Sequence, residues 1–310
     1  NCLRSKIMDK RIIKALISPR YAGLTIMHKL SPFIKNDELY LKIVYWLSMG
    51  KRLNLKNPTT FNEKLQWLKL YNRKPEYTVM VDKVKAKEYV AKIIGEEHII
   101  PTLGVWNNPD EIDFDKLPNQ FILKCNHNSG MGMCICRDKS KLDIDKVKRE
   151  LRKGLHQDYY MTNREWPYKN VPRKIMAEKF MKDDSGDNLT DYKFFCFNGE
   201  PFMMYVSHDN AEHATTDFFD MDYHRLPIRM KDPNSDNPPA KPREFEEMRK
   251  YARMLAKGTP HLRVDFYVIN HTVYFGELTF FHNSGLTPIY PEGWNQRLGN
   301  LIKLGVCLES

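Results

Sequence analysis

Three lysines, one arginine and two carboxylates carry most of the chemistry this sequence can offer. Lys124 lies in the apolar run "FILKC"; "NHNSGMG" follows it, and then a second apolar run, "MCIC". Consecutive backbone N–H groups around Gly130 and Gly132 can curl into a concavity that holds an anion. Glycine lets that backbone approach a phosphate with no side chain in the way. Further on, "LRVDFYVINHTVYFGELTF" reads as a hairpin with Asp265 and Glu277 on facing strands. Two such carboxylates can share magnesium and bridge it to nucleotide phosphates. Arg263, two residues before Asp265, shares its face on a strand and suits a phosphate or acyl phosphate. Glu277 sits between "VYFG" and "LTFF", an apolar setting where an unpaired carboxylate is costly. Lys174 and Lys193 lie on β-like segments between these two regions. Lys193 is hemmed by Tyr192 and Phe194 beside Asp191, which suits the presentation of a point charge to phosphate. Each feature also has a plainer reading: an ordinary glycine turn, a solvated hairpin, surface lysines with buried stems.

The loop after Lys124 is not a Walker A motif, which ends in Gly-Lys-Ser/Thr and enters a helix, nor a dinucleotide fingerprint, which also enters a helix. Here Gly132 leads into "MCIC", a strand, so the unit is a hairpin of the kind that folds over phosphates like a flap. Protein kinases have such a flap, but their lysine lies on a later strand and their catalytic-loop sequence is absent.

The elements that must hold these residues follow from periodicity and turn chemistry. The 310 residues are long enough for two or three domains, with ordinary hydrophobic (42%) and charged (28%) shares. Residues 1–56 read as basic amphipathic helices, "KIMDKRIIKALI" and "DELYLKIVYWLSMGKRL", the second with an N-cap at Asn36 or Asp37 and a stop at Gly50. Thr60 and Glu63 form a capping box for the helix "FNEKLQWLKLYNR". A single helix is expected over 77–95, a short strand in "IIPTLGVW" and a helix in "KSKLDIDKVKRELRKGL". "KIMAEKFM", "DYKFFCFNGEPFMMYVS" and the late hairpin are β-rich, with turns at Asn198-Gly199 and Ile269-Asn270-His271. "KPREFEEMRKYARMLAKG" is a helix stopped by Gly258. The expected fold class is α+β, with an antiparallel or mixed sheet.

No apolar run approaches the roughly 20 residues that span a bilayer. Six cysteines without CxxC or zinc spacing favour reduced thiols and a cytoplasmic setting. The net charge of +10 suits anionic small molecules, anionic polymers or the anionic inner leaflet. No RNA-recognition motif, zinc finger or RGG tract supports nucleic acid. Peripheral membrane contact by the first basic helix is the minority reading of that segment.

The order Lys124, glycine flap, "MAEKFM", "DYKFF", "RVDFY", "GELTF" resembles the ATP-grasp superfamily, specifically its TupA-like branch, associated with teichuronopeptide and capsular polysaccharide synthesis. "NPTTFNEKLQWLKLY" with "DYKFFCFNG" carries the likeness, which covers most of the chain beyond residue 50. It implies an ATP-grasp fold with two α+β lobes clamping ATP. The corresponding division is a helical basic extension at 1–56, an N-terminal lobe at 57–118, a central subdomain with the flap at 119–181 and a C-terminal lobe with the metal site at 182–310. Carried over by position, Lys124 and Lys174 would bind ATP, and the flap, with His127, Ser129, Gly130 and Gly132, would cover its phosphates. Glu178, Lys179, Phe180 and Met181 would form the hinge that reads adenine. Lys193 and Arg263 would contact the transferred phosphate, and Asp265, Glu277 and Thr279 would hold Mg²⁺. Asp82-Lys83 and Lys87 match a charged motif of the nucleotide-facing helix. Thr279 stands where the general superfamily has asparagine, and Lys87 where arginine is expected.

The implied reaction is a carboxylate–amine ligation through an acyl phosphate. A uronic acid or acidic polymer would supply the carboxylate and an amino acid or amino sugar the amine. His282, Asn283 and Ser284 are candidates for the acceptor site. Three rivals predict other outcomes: a kinase on the same fold, a binding module without turnover, and a glycosyltransferase using the Asp220-x-Asp222 spacing.

Overall fold

The structure, a computed structural model, describes residues 18–184, 189–209 and 214–305. The first basic helix expected, over 6–17, lies outside them. Helix α1 (Pro19–Leu30) is capped by Ser18, and α2 (Asp37–Met49) runs from an Asn36 cap to Gly50, which closes it at φ 70°. Helix α3 (Phe61–Tyr71) opens with the Thr60/Glu63 capping box in full. The single helix expected over 77–95 is instead two, α4 (Pro75–Val81) and α5 (Lys85–Ile94). Asp82 breaks it. Its Oδ1 accepts from the Val84 amide at 3.0 Å and from Asn126 Nδ2 at 2.8 Å, and the Lys83 amide donates to the Asn126 carbonyl. A short side chain thus gives the backbone an alternative to the helix.

The smaller sheet contains β1 (Thr102–Trp106), β2 (Phe121–Cys125), β3 (Met133–Cys136) and β4 (Ile175–Lys179), antiparallel in the order β1-β4-β2-β3. Helices α6 (Ile144–His156) and α7 (Tyr159–Asn163) lie between β3 and β4 in sequence. Strand alternation divides the faces. Phe121, Leu123, Ile175 and Ala177 pack with Val147 and Leu151 of α6, leaving Ile122, Lys124, Met176 and Glu178 on the other face.

The larger sheet contains β5 (Asp191–Phe197), β6 (Glu200–Asp209), β7 (Ala214–Asp220), β8 (Arg225–Leu226), β9 (His261–Ile269) and β10 (Thr272–Thr279), in the order β10-β9-β5-β6-β7-β8. Both expected hairpin turns form, with positive φ at Asn198, Gly199, Asn270 and His271. Helix α8 (Phe245–Ala256) packs on one face, and α9 (Gly293–Leu301) follows the last strand. Strand β7 and helices α7 and α9 are additions to the sequence expectation. Helices α3 to α5 bury Phe61, Leu65, Met80 and Val90 in the same core as Phe194, Val264 and Phe266 of the large sheet, while residues between Ile112 and Leu151, with Ile175 and Ala177, form a second core. Helices α3 to α5 thus share their core with the larger sheet.

Candidate active site

The candidate chemistry gathers on one rung of the larger sheet. Glu277 on β10 pairs with Asp265 on β9, which pairs with Lys193 on β5. A bulge between Phe275 and Glu277 sets this up: Phe275 faces Phe266 and Glu277 faces Asp265, so Gly276 switches the parity of β10. Buried positions change accordingly from Val273 and Phe275 to Leu278 and Phe280. A Cβ at Gly276 would stand 3.0 Å from the Asp265 carbonyl oxygen.

Cations saturate Asp265. Arg263 donates Nε to its Oδ1 at 2.7 Å and Nη2 to its Oδ2 at 2.6 Å, and Lys193 Nζ reaches Oδ2 at 2.9 Å. Burial raises the Asp265 pKa, but Arg263 and Lys193 outweigh it and hold the carboxyl below its usual range. Lys193 is also paired with Asp191. Arg263 further donates to Thr279 Oγ1 at 3.0 Å and to His282 Nδ1 at 2.8 Å. Burial and then Arg263 hold His282 neutral, well below its usual value. Glu277 is half-buried and pairs with Lys83 at 3.1 Å through Oε1. Burial works to raise its pKa, and Lys83 holds it below the ordinary value.

A second cluster faces this rung from the smaller sheet. Glu178 lies between Lys124 at 2.5 Å and Lys87 at 2.6 Å. Burial opposes its ionisation, yet the two ammonium groups keep its pKa below normal. Lys83, Lys87, Lys124, Glu178 and Glu277 line one narrow crevice of about 10 Å³ where the sheets meet. The two clusters are therefore neighbours, joined through Lys83 by the helix break at Asp82.

The other expected site residues are distributed unevenly. Ser129 and Gly130 lie at the exposed flap tip, but Gly132 is buried against Gly154 of α6. His127 is buried too, with its Nε2 at 3.0 Å from the Gln157 carbonyl oxygen, so its ring packs on the end of α6. Lys174 is half-buried; its amide donates to Asn126 Oδ1 at 2.7 Å, and its carbonyl accepts from the Asn126 amide at 3.0 Å. The Glu178 side chain is committed to lysines, and the Lys179 amide donates to the Pro101 carbonyl at 3.0 Å. Phe180 and Met181 follow, with Arg137 and Lys182 over the Phe180 ring. His282, Asn283 and Ser284 form a tight turn in which Asn283, Ser284 and Gly285 all have positive φ. Two non-glycine residues in this region are strained.

That turn is braced by groups the sequence reading did not single out. Fully buried Lys69 donates to the Ser284 carbonyl at 2.8 Å, and Gln66 donates to the Ser284 and Gly285 carbonyls. Burial pushes Lys69 down to about 8 and raises Glu165, which receives the Ser284 hydroxyl. A lysine and a glutamate on segments nearly a hundred residues apart in sequence give no local signal of this.

Beside the rung lies a cavity of about 530 Å³, whose lining includes Ser129, Asp191, Lys193, Tyr205, Ser207, Thr216, Lys231, Asp232, His282 and Asn283. Asp191 Oδ1 is buried in its wall without a hydrogen-bond partner. Burial pushes the Asp191 pKa up to about 6 against the pull of Lys193. Asp220 and Asp222 form a turn with His224 at the end of β7, in which half-buried Asp220 accepts the Asp222 and His224 amides.

The donor set fits a divalent cation in kind, since Glu277 and Asp265 offer hard oxygens on adjacent strands. Glu277 has Oε2 outside its ion pair, whereas Asp265 would have to exchange a bond to Arg263 or Lys193. For a nucleotide, the cleft face carries exposed apolar Val105, Met133 and Ile135 close to the lysines.

Two facing α+β units with a glycine flap and a carboxylate-bearing hairpin are the arrangement of an ATP-grasp protein. The model of the TupA-like ATP-grasp family matches residues 63–303, and the chain belongs to that family. No curated protein matches it. Among solved structures, it is similar to the D-alanine–D-alanine ligase of Bacillus anthracis complexed with ATP, at 17% identity and a TM-score of 0.39, over 65% of this chain and 54% of that one. It is also similar to the D-alanine–D-alanine ligase of Helicobacter pylori, at 13% identity and a TM-score of 0.44, over 78% and 69%. A third is the ATP-grasp ligase PsnB complexed with a phosphomimetic variant of its minimal precursor, Mg and ADP, at 10% identity and a TM-score of 0.39, over 70% and 57%. The chain thus spans little more than half the length of the first of these, and the family assignment rests on the sequence match. No helix among the described residues is long and apolar enough to cross a membrane.

Proposed function

We propose that this protein is an ATP-dependent carboxylate–amine ligase. The observation that carries the reading is the Glu277–Asp265–Lys193 rung, set against a crevice whose walls hold Lys83, Lys87 and Lys124. Few reactions need so many cations around paired carboxylates except those that handle a polyphosphate.

In this reading the adenine lies on Val105, Met133 and Ile135 near the Phe180–Met181 backbone, and Ser129 and Gly130 close over the phosphates. Lys124 and Lys87 exchange Glu178 for phosphate oxygens, with Lys174 as a further candidate. Asp265 and Glu277, with Thr279 beside them, would hold magnesium, which would supply charge neutralisation for the phosphates. A substrate carboxylate oxygen attacks the γ-phosphorus and ADP leaves, giving an acyl phosphate. Lys193 and Arg263 stabilise the charge on the transferred group. The amine nitrogen then attacks the acyl carbon, phosphate departs and one proton is released, leaving an amide. Little covalent chemistry is asked of the protein; positioning does the rest.

The 530 Å³ cavity suits the amine substrate, because Asp191 Oδ1 lacks a donor there. Lys231 and Lys193 in the same wall suit an additional negative charge on that substrate. Asn283, held by the strained turn, faces the same space. A uronic acid or acidic polymer as carboxylate donor agrees with the net charge of +10. We infer a role in making a bacterial surface polysaccharide or teichuronopeptide, on the cytoplasmic side, where ATP is supplied.

The test is magnesium-dependent ADP release, screened against uronic acids paired with amino acids or amino sugars. Release that requires both partners and yields an amide supports the ligase. A phosphorylated product formed without amine makes the protein a kinase. ATP binding without turnover by any pair makes it a binding module. Glu277→Gln should abolish release, and an unchanged rate would remove Glu277 from the site.

A further inference from the structure

The helical hairpin at the N-terminal end of the described chain carries a surface that the ligase reading does not use. None of the residues of α1 is buried. It leans on α2 through Gly23, where a Cβ would come within 2.9 Å of Leu47. Ile26 and Leu30, one turn apart on it, stay about half exposed, and Phe33 follows at the corner, 81% exposed. On α2, Leu39 and Trp46 share one exposed stripe two turns apart, each about half exposed. Five large apolar side chains are thus open within 21 residues, apart from the exposed apolar residues of the small sheet and flap.

The corner that displays Phe33 is rigid. Arg164, only 1% exposed, donates Nη2 to the carbonyls of Ser31 at 2.9 Å and Ile34 at 2.8 Å, and Nη1 to Ser31 Oγ at 2.8 Å. Its Nε pairs with Asp37 at 3.0 Å, and its plane lies 4.3 Å from the Tyr40 ring centroid. An aromatic group fixed in water by a buried arginine is costly unless something covers it.

Charge indicates the cover. Lys29 and Lys35 flank Leu30 and Phe33 and are exposed, and Lys42 lies on the Leu39–Trp46 stripe. Residues 18–56 contain seven Lys or Arg and two acids. Of those acids, Asp37 is paired with Arg164 and Arg73, and Glu38 with Lys42. Apolar side chains that project from a rigid corner inside a basic rim match the interface of an anionic bilayer. There aromatic and aliphatic groups enter the headgroup region while lysines meet phosphates. A second protein copy would meet the same positive charge and be repelled by it.

We propose that the α1–α2 corner, led by Phe33 and Leu30, docks this protein on an anionic membrane surface. This holds whether or not the ligase reading does. The test is co-sedimentation of the full chain with phosphatidylcholine vesicles, with and without phosphatidylglycerol. Binding should require the anionic lipid and weaken with salt. Phe33→Asp should lower it roughly tenfold or more, through lost apolar burial and added repulsion. Lys29→Gln and Lys35→Gln should each lower it about fivefold. ATP-dependent protection against thermal unfolding, read without vesicles, should be unchanged in Phe33→Asp and serves as the folding control. Equal binding to neutral vesicles, no binding at all, or full binding by Phe33→Asp and both lysine variants would overturn the proposal. So would self-association in solution that Phe33→Asp abolishes, since the cover would then be another copy.

Discussion

Glu178→Gln separates the electrostatics of the crevice from its shape, because the two side chains differ little in volume. Glu178 is 7% exposed, with Lys87 at 2.6 Å and Lys124 at 2.5 Å. Removing one member of a buried ion pair costs roughly 3–5 kcal/mol, since the surviving charge stays buried without compensation. Lys87 and Lys124 are 12% and 23% exposed, so partial access to water places the loss near the lower end. At roughly 2–4 °C per kcal/mol for a chain of this size, a loss of about 3 kcal/mol lowers the melting temperature by about 6–12 °C. The glutamate's folded pKa is depressed, so its stabilisation is complete above the unfolded value and disappears as pH falls through the folded one. The gap between variant and unaltered chain should therefore close on acidification below about pH 4. ATP with magnesium gives a second readout. On the proposed reading, the triphosphate has to displace Glu178 from the lysines in the unaltered chain and meets them unpaired in the variant. Scanning fluorimetry should show ATP raising the variant's melting temperature by more. Identical melting, or equal protection of both chains by ATP, would refute the reasoning.

The cavity beside the rung gives the next test. Asp191→Asn should raise the KM of the amine roughly tenfold or more while changing that of ATP little, as expected for loss of a charged hydrogen bond. In the unaltered chain the same KM should rise as pH falls through about 6, where Asp191 takes up a proton. A flat profile in steady-state assays would remove Asp191 from amine binding. Gly132→Ala would put a Cβ 2.9 Å from Gly154 Cα at φ +67°. It should cost about 1–3 kcal/mol and raise the KM of ATP by unseating the flap, and unaltered melting would show that the loop does not rest on α6.

What the sequence made legible was mostly local. Thr60 and Glu63, the Asn198-Gly199 turn and the pairing of Asp265 with Glu277 depend on neighbours in the chain or on one hairpin. The helix break at 82–84 was not legible, because Asp82 is held by Asn126, a partner 44 residues away. The brace of Lys69 and Glu165 was hidden for the same reason: on an amphipathic helix, a lysine normally signals solvent. His127, expected in the flap that covers the phosphates, rests its ring on the end of α6, through Gln157, 30 residues further along the chain. One missed signal was available. The apolar positions of "TVYFGELTFF" change parity at Gly276, and a glycine inside a strand at such a change marks a bulge.

The irregularity at Gly276 makes the late hairpin count residues. Losing that single glycine would restore strict alternation while keeping Glu277 opposite Asp265 and Leu278 inward. Removing the glycine together with one neighbour would instead shift the pattern by one and turn Leu278 outward. Tolerance of deletions here should thus follow odd and even numbers, a behaviour that neither composition nor charge would suggest.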